Sequence, residues 1–293
     1  MLRYLFLSFL SLQSFQIAFS QNNTEIPSKF TFRPLKGKIF VTYGYNRSFY
    51  SKSNLHLSGQ GYDITLHKIS ASDEPTQLTG GEFTRTYLNP VYFSIPQFNF
   101  HIGYYFKNNW SIALGWDHMK YVMNSGQTAN IDGHIDPTIA NGEIQTGKYA
   151  GDYNNKSTVI APDFLLFRHT NGFNYASIEL EHNRLLWQNK KGTLGLRGLF
   201  GFGAGALVNR TIVTFFDVKQ DNLWHTSGAG VSGKAGLMFD FARNFFLQAD
   251  FKTGYTYLPS IRTTGRQGDT AKQSIGFAQF TAVIGIRFGG GKN

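Results

Sequence analysis

From Ser274 to Phe288 the chain alternates with a period of two. Ala278, Phe280, Ala282, Ile284, Ile286 and Phe288 fall on one face, and Gln279, Thr281, Val283, Gly285 and Arg287 on the other. A helix would mix the two sets, so the segment reads as a strand. Its polarity constrains the fold further. The outer face of a soluble two-sheet sandwich is polar, whereas here the bulky apolar face is unbroken and the small or polar face must be enclosed. A strand standing between lipid and a barrel interior has this pattern.

The same phase recurs upstream. Phe245, Leu247, Ala249, Phe251, Thr253 and Tyr255 oppose Gln248, Asp250, Lys252 and Gly254. Ala229, Val231, Gly233, Ala235, Leu237 and Phe239 oppose Gly230, Ser232, Lys234, Gly236 and Met238. Further strands are expected at 38–50, 96–106, 109–122, 161–182 and 192–207. Beyond the first twenty residues no run of 18 apolar residues occurs, so a helical span is excluded and a closed barrel is the remaining way through a bilayer. Composition agrees: only 16% of residues are charged, against roughly 25% in soluble domains, so much of the surface must avoid bulk water.

The expected fold is all-β, an antiparallel transmembrane barrel of eight strands over residues 38–288. Short turns at 107–108, 183–191 and 242–244 would face the periplasm, and long loops at 51–95, 123–160, 208–225 and 258–274 the outside. Ten strands is the alternative, because Tyr62–Ile69 also alternates and 161–182 could fold back at Thr170-Asn171-Gly172. The first twenty residues, MLRYLFLSFLSLQSFQIAFS, place Arg3 before an apolar run and end in Ala18-Phe19-Ser20. They read as an export signal cleaved near Gln21, followed by a polar lead-in over 21–37, and residues 289–293 form a tail. Removing Arg3 takes the formal charge from +10 to +9. The absence of Cys excludes disulfides, thiolate metal sites and cysteine nucleophiles.

The inward faces collect Asp117, Glu179, Glu181 and Asp250 against Arg197, Lys234, Lys252 and Arg287. Isolated buried ions cost several kcal/mol each, on the order of a whole domain's margin, so these groups are expected to pair as a charge network filling the bore. Leu237, Phe251, Phe280, Ile284 and Phe288 are expected to face lipid. Gly228-Ala229-Gly230-Val231-Ser232-Gly233 matches a dinucleotide-binding glycine pattern, but a strand follows where a helix is required, so no cofactor is expected. The eight histidines show no metal-ligand spacing and read as rim and loop residues, so no metal is expected either. No basic run suits nucleic acid. The surplus of cations, with Arg47, Lys52, Lys68, Arg85, Lys120 and Arg210 near the outer rim, points instead to outer-membrane lipids, including lipopolysaccharide phosphates.

In signal, strand phase and loop alternation the chain resembles the small OmpA/OmpX-type outer-membrane barrels over residues 38–288. The resemblance implies the bacterial outer membrane as location and its assembly machinery as a partner, although Gly289-Gly290-Gly291-Lys292-Asn293 here follows the last aromatic, Phe288. A second, local likeness is to the His-x-Ser-Asn-Gly stretch of outer-membrane phospholipases and lipid A deacylases, in His169-Thr170-Asn171-Gly172. If it held, His169, Thr170 and Glu179 would be catalytic. In those families the two reactive residues share a strand face, whereas His169 and Thr170 are adjacent and point oppositely in a regular strand. The leading expectation is a non-enzymatic barrel acting through its outer loops on lipid or an extracellular ligand. Lipid deacylation is the alternative and a narrow passive pore the second.

Overall fold

The structure is a computed structural model that describes residues 34–75, 80–87, 89, 92, 96–242 and 244–289. The export signal, the cleavage point near Gln21, most of the lead-in and the tail after Gly289 lie outside the described residues. Wherever period-two segments of opposite polarity follow one another across a tight turn, they form a hairpin, and eight such strands make the wall. These are β1 Lys38–Tyr50, β2 Phe98–Lys107, β3 Trp110–Met123, β4 Leu165–Gln188, β5 Leu194–Asn209, β6 His225–Phe241, β7 Phe245–Arg262 and β8 Thr270–Gly289. Each pairs antiparallel with the next. β8 returns to β1 from Lys38 opposite Gly289 to Tyr50 opposite Phe277, which closes the sheet and removes its edges.

The wall therefore has eight strands. Tyr62–Ile69 is a strand, but it pairs between Ser53–Gly59 and Thr128–Ile135 beyond the loop end of the wall. Nor does β4 fold back at Thr170-Asn171-Gly172. It bulges there, with its register on β3 shifting between His169 and Phe173. Gly172 absorbs the bulge at φ 151°, and a Cβ on it would come 2.4 Å from the Trp224 ring. The short connections are 108–109, 189–193 and 242–244.

The long connections carry strands of their own. Ser53–Gly59 continues β8 outward by pairing with Thr270–Gln273, and Tyr62–Ile69, Thr128–Ile135 and Gly151–Val159 follow in order. A hairpin of Ile212–Phe215 and Val218–Asp221 prolongs β4 in the same direction. The region 258–274 is mostly strand, leaving 263–269 as the connection. The physical reason lies in a second set of alternations. Leu55, Leu57, Ile64, Leu66, Ile131 and Ile135 turn inward with at most 1% exposure, and they pack with Phe164, Phe167, Phe215 and Phe277 into one apolar cluster. A helix at Gly80–Tyr87 lies in the connection between β1 and β2, where the Tyr45 hydroxyl donates to the Tyr87 carbonyl at 2.6 Å.

The outward face of the wall has the opposite burial. Phe280 is 57% exposed, Ile284 51%, Leu237 50%, Phe288 48% and Phe251 42%. A water-soluble sandwich would bury such residues, so this face requires an apolar medium. From Phe288 to Ala278, about 3.3 Å per residue and a tilt of about 40° give a band of roughly 25 Å, the height of the apolar belt of membrane barrels. Ile284→Arg, near the middle of this band, is expected to lower the unfolding free energy in lipid vesicles by about 2–4 kcal/mol. Urea titration of the refolded protein tests this, and a shift below about 1 kcal/mol would place Ile284 outside hydrocarbon.

Candidate functional site

Three layers fill the bore. At the turn end Leu35, Phe40, Tyr105, Ala113, Met238 and Phe246 form an apolar stopper. Against it stands Asp240, 1% exposed, between two guanidinium groups. Arg197 donates to one carboxylate oxygen at 2.7 Å and Arg287 to the other at 2.6 Å. Arg287 also lies 4.1 Å above the Phe246 ring centroid, and Arg197 reaches Asn183 at 3.3 Å.

The middle layer is ionic. Lys252 reaches Asp117 at 2.5 Å and Glu179 at 2.7 Å, while Lys234 reaches Glu179 at 2.7 Å and Glu181 at 2.5 Å. Ser111 donates to Glu181 at 2.9 Å, and the His101 ring lies 2.9 Å from Asp117 and 3.8 Å from Glu179. Gln248 donates to Asp250 at 2.8 Å. The Lys234 stem crosses the bore where β5 is small: a Cβ on Gly201 would lie 3.3 Å from its Cε, and one on Gly203 would lie 2.9 Å from the Glu179 side chain. His101, Glu179 and Glu181 each offer a metal-ligand atom within 4.8 Å of the others. The Lys234 ammonium, however, stands between the two glutamates where a cation would sit.

All eight charged residues read as inward from the alternation are buried, and the two lysines join three of the four carboxylates. Sequence reasoning left out Asp240, the residue that ties Arg197 to Arg287. It is the next inward position of β6 after Met238, so carrying the alternation one step further would have found it. Treating all histidines as rim or loop residues also needs correction. His101 is 6% and His169 0% exposed, because both sit on inward faces of strands.

Beyond the ionic layer and the buried pairs of Asn46 with Asn99 and His118 with Asn174, an apolar cluster fills the outer half, and His169 lies against it. Its ring stacks with Phe173 at 5.6 Å and meets Phe167 and Tyr121 at 5.1 and 5.7 Å. Its Nδ1 pairs with the Thr211 hydroxyl at 3.0 Å, and its Nε2 is buried without a hydrogen-bond partner among the described residues. Thr170 is not its partner. Glu179 lies ten positions down β4, about 33 Å away along the strand, locked to the lysines. His169, Thr170 and Glu179 therefore form no nucleophile, base and orienting acid, and His169 is closed to substrate.

The chemistry that is reachable lies on the outer sheet. His67 meets Asp132 at 2.7 Å, while His134 meets Asp152 at 2.6 Å and Asp136 at 2.9 Å, all partly or fully exposed. The hydrogen bond His134 donates to Asp152, then that to Asp136, hold its pKa above the ordinary histidine value of about 6.5. The Asn155 amide and His67 hold the Asp132 carboxyl below the usual range. The sign for His134 follows. Its contribution is full below the unfolded pKa and is lost as pH rises through the folded one. Amide exchange in Thr128–Ile135 and Gly151–Val159, corrected for intrinsic rate, is expected to quicken as pH rises through neutrality. His134→Gln should remove that dependence, and an unchanged profile in the variant would assign it elsewhere.

At the outer rim Arg47 pairs with Asp73 at 2.7 Å and Arg210 with Asp221 at 2.8 Å. Lys120 is half-buried on β3.

A closed antiparallel wall of eight strands, apolar outside and packed with ion pairs inside, defines a small transmembrane β-barrel of the outer-membrane type. Among solved structures the chain is similar to the outer membrane protein OprG from Pseudomonas aeruginosa, at 8% identity and TM-score 0.38, covering 88% of this chain and 98% of that one. It is also similar to the outer membrane protein AlkL, at 13% identity and TM-score 0.38, covering 93% and 99%. A third is Ail, the attachment invasion locus protein of Yersinia pestis, at 14% identity and TM-score 0.31, covering 86% and 99%. No protein-family model and no curated relative matches.

Proposed function

We propose that the protein is a bacterial outer-membrane barrel without enzymatic activity, which holds a folded β-platform outside the cell for contact with a ligand or surface. The observation that carries this reading is the apolar core of the outer half, where Leu55, Ile64, Leu66, Ile131 and Phe164 have no exposed surface. Segments that only had to join wall strands would not need such a core. It holds a four-stranded sheet rigid, and the exposed face of that sheet carries the His67–Asp132 and His134–Asp152 pairs as a polar recognition surface. The filled bore weighs against a passive pore, and the enclosure of His169 weighs against lipid hydrolysis.

The test replaces residues 54–68 and 128–159 by short linkers in the full chain. Gel mobility before and after boiling should still differ, since the wall pairs without them, while adhesion of expressing cells to immobilised glycans and proteins should fall to background. Undiminished adhesion would remove the platform role. Wild-type protein in planar bilayers should give no conductance steps, and regular steps would restore the pore.

A further inference from the structure

The ladder between β8 and its neighbour is interrupted. β1 ends with Tyr50 opposite Phe277, and Ser53–Gly59 does not take up β8 until Leu55 faces Gln273. Four residues, 51–54, therefore stand against three, 274–276, and a strand with an extra residue must bow away from its partner. Ser51 stitches the gap: its amide donates to the Gly276 carbonyl at 2.8 Å, and its hydroxyl accepts from the Gly276 amide at 3.0 Å. What remains is a notch of about 480 Å³ in the outer wall, with Lys52 and Ser51 on one side, Lys272 and Ser274 on the other, and Tyr255 and Tyr257 below.

Its depth is set by the tyrosines. They end the outward apolar file of β7, at 55% and 57% exposure, where amphipathic rings stand at the edge of hydrocarbon. Lys52 and Lys272 thus lie just above the acyl region, at the level of lipid phosphates. Neither forms an ion pair among the described residues, whereas Arg47 and Arg210 elsewhere on the rim are already neutralised. No carboxylate lines the notch. Two uncompensated ammonium groups, flanking serine hydroxyls and phenols at the boundary suit a phosphate monoester whose acyl chains run down over Tyr255 and Phe251.

We infer that this notch binds the phosphorylated headgroup of an outer-leaflet lipid. The inference rests on the reading that the barrel stands in an outer membrane, and its test separates the two. Full-length protein folded in detergent is titrated with diphosphorylated lipid A, with the same lipid after phosphate removal, and with inorganic phosphate, and bound lipid is read by native mass spectrometry. Wild type should retain the diphosphorylated lipid and release the dephosphorylated one. Each lysine removed should weaken retention about fivefold, and Lys52→Gln with Lys272→Gln about twenty-five-fold. Lys272→Gln alone, on the exposed face of an intact strand, keeps the comparison available if the double variant folds poorly. Equal retention by wild type and variants overturns the site, and displacement of the lipid by millimolar inorganic phosphate overturns its lipid specificity. A wild-type chain whose gel mobility does not change on boiling would sink the barrel reading, and the site with it.

Discussion

Asp240→Asn should be the most damaging conservative substitution in the wall, lowering the unfolding free energy by about 3–5 kcal/mol. The carboxylate is 1% exposed and accepts from Arg197 and Arg287 on separate oxygens. The amide keeps the shape but removes the charge, leaving two guanidinium groups side by side with their mutual repulsion no longer offset. A buried pair with one partner deleted costs far more than the pair itself contributes, because the remaining ion keeps its desolvation penalty. Asp250→Asn is the internal comparison. Its hydrogen bond comes from the neutral Gln248 amide, so the loss should stay near 1 kcal/mol. Urea midpoints of both variants refolded in vesicles decide the matter. Equal shifts would mean that the charge on Asp240 is not what holds the turn end.

The second large effect separates platform from barrel. Ile64→Asp places a carboxylate where Ile64 has no exposed surface, opposite Leu57 and Gly133 on the neighbouring strands. An uncompensated polar group there costs about 3 kcal/mol or more, which would raise the open population of the outer sheet about a hundredfold. Limited proteolysis should then cut within 54–68 and 128–159 at a correspondingly higher rate. The shift in gel mobility on boiling should persist, since every wall strand still pairs with its neighbours. Loss of that shift would show that wall and platform fold as one unit.

The sequence makes the wall legible because the signal is local. Each strand carries its own period of two, and inverted polarity tells which face meets hydrocarbon, so the exposure of Phe280 and Ile284 can be read without knowing any neighbour. Faces of charged residues are legible for the same reason, but their partners are not. Lys252 meets Glu179 across 73 positions of sequence and Lys234 meets Glu181 across 53. Those meetings depend on the register of several hairpins at once. The platform was hidden by the same kind of distance. Ser53–Gly59 is short, and its pairing with Thr270–Gln273 lies more than 200 positions away, so the segment has no local mark that separates it from a loop. The burial of His169 was hidden in the same way, since its hydroxyl partner Thr211 arrives on another connection.

The layered bore has a consequence for salt. Surface pairs such as Arg210 with Asp221 are weakened as mobile ions gather around them, over a Debye length of about 8 Å at physiological ionic strength. The lysines and carboxylates of the middle layer are almost wholly buried, so mobile ions screen their attraction far less. Brine should therefore soften the exposed platform while the membrane-embedded cylinder keeps its strength.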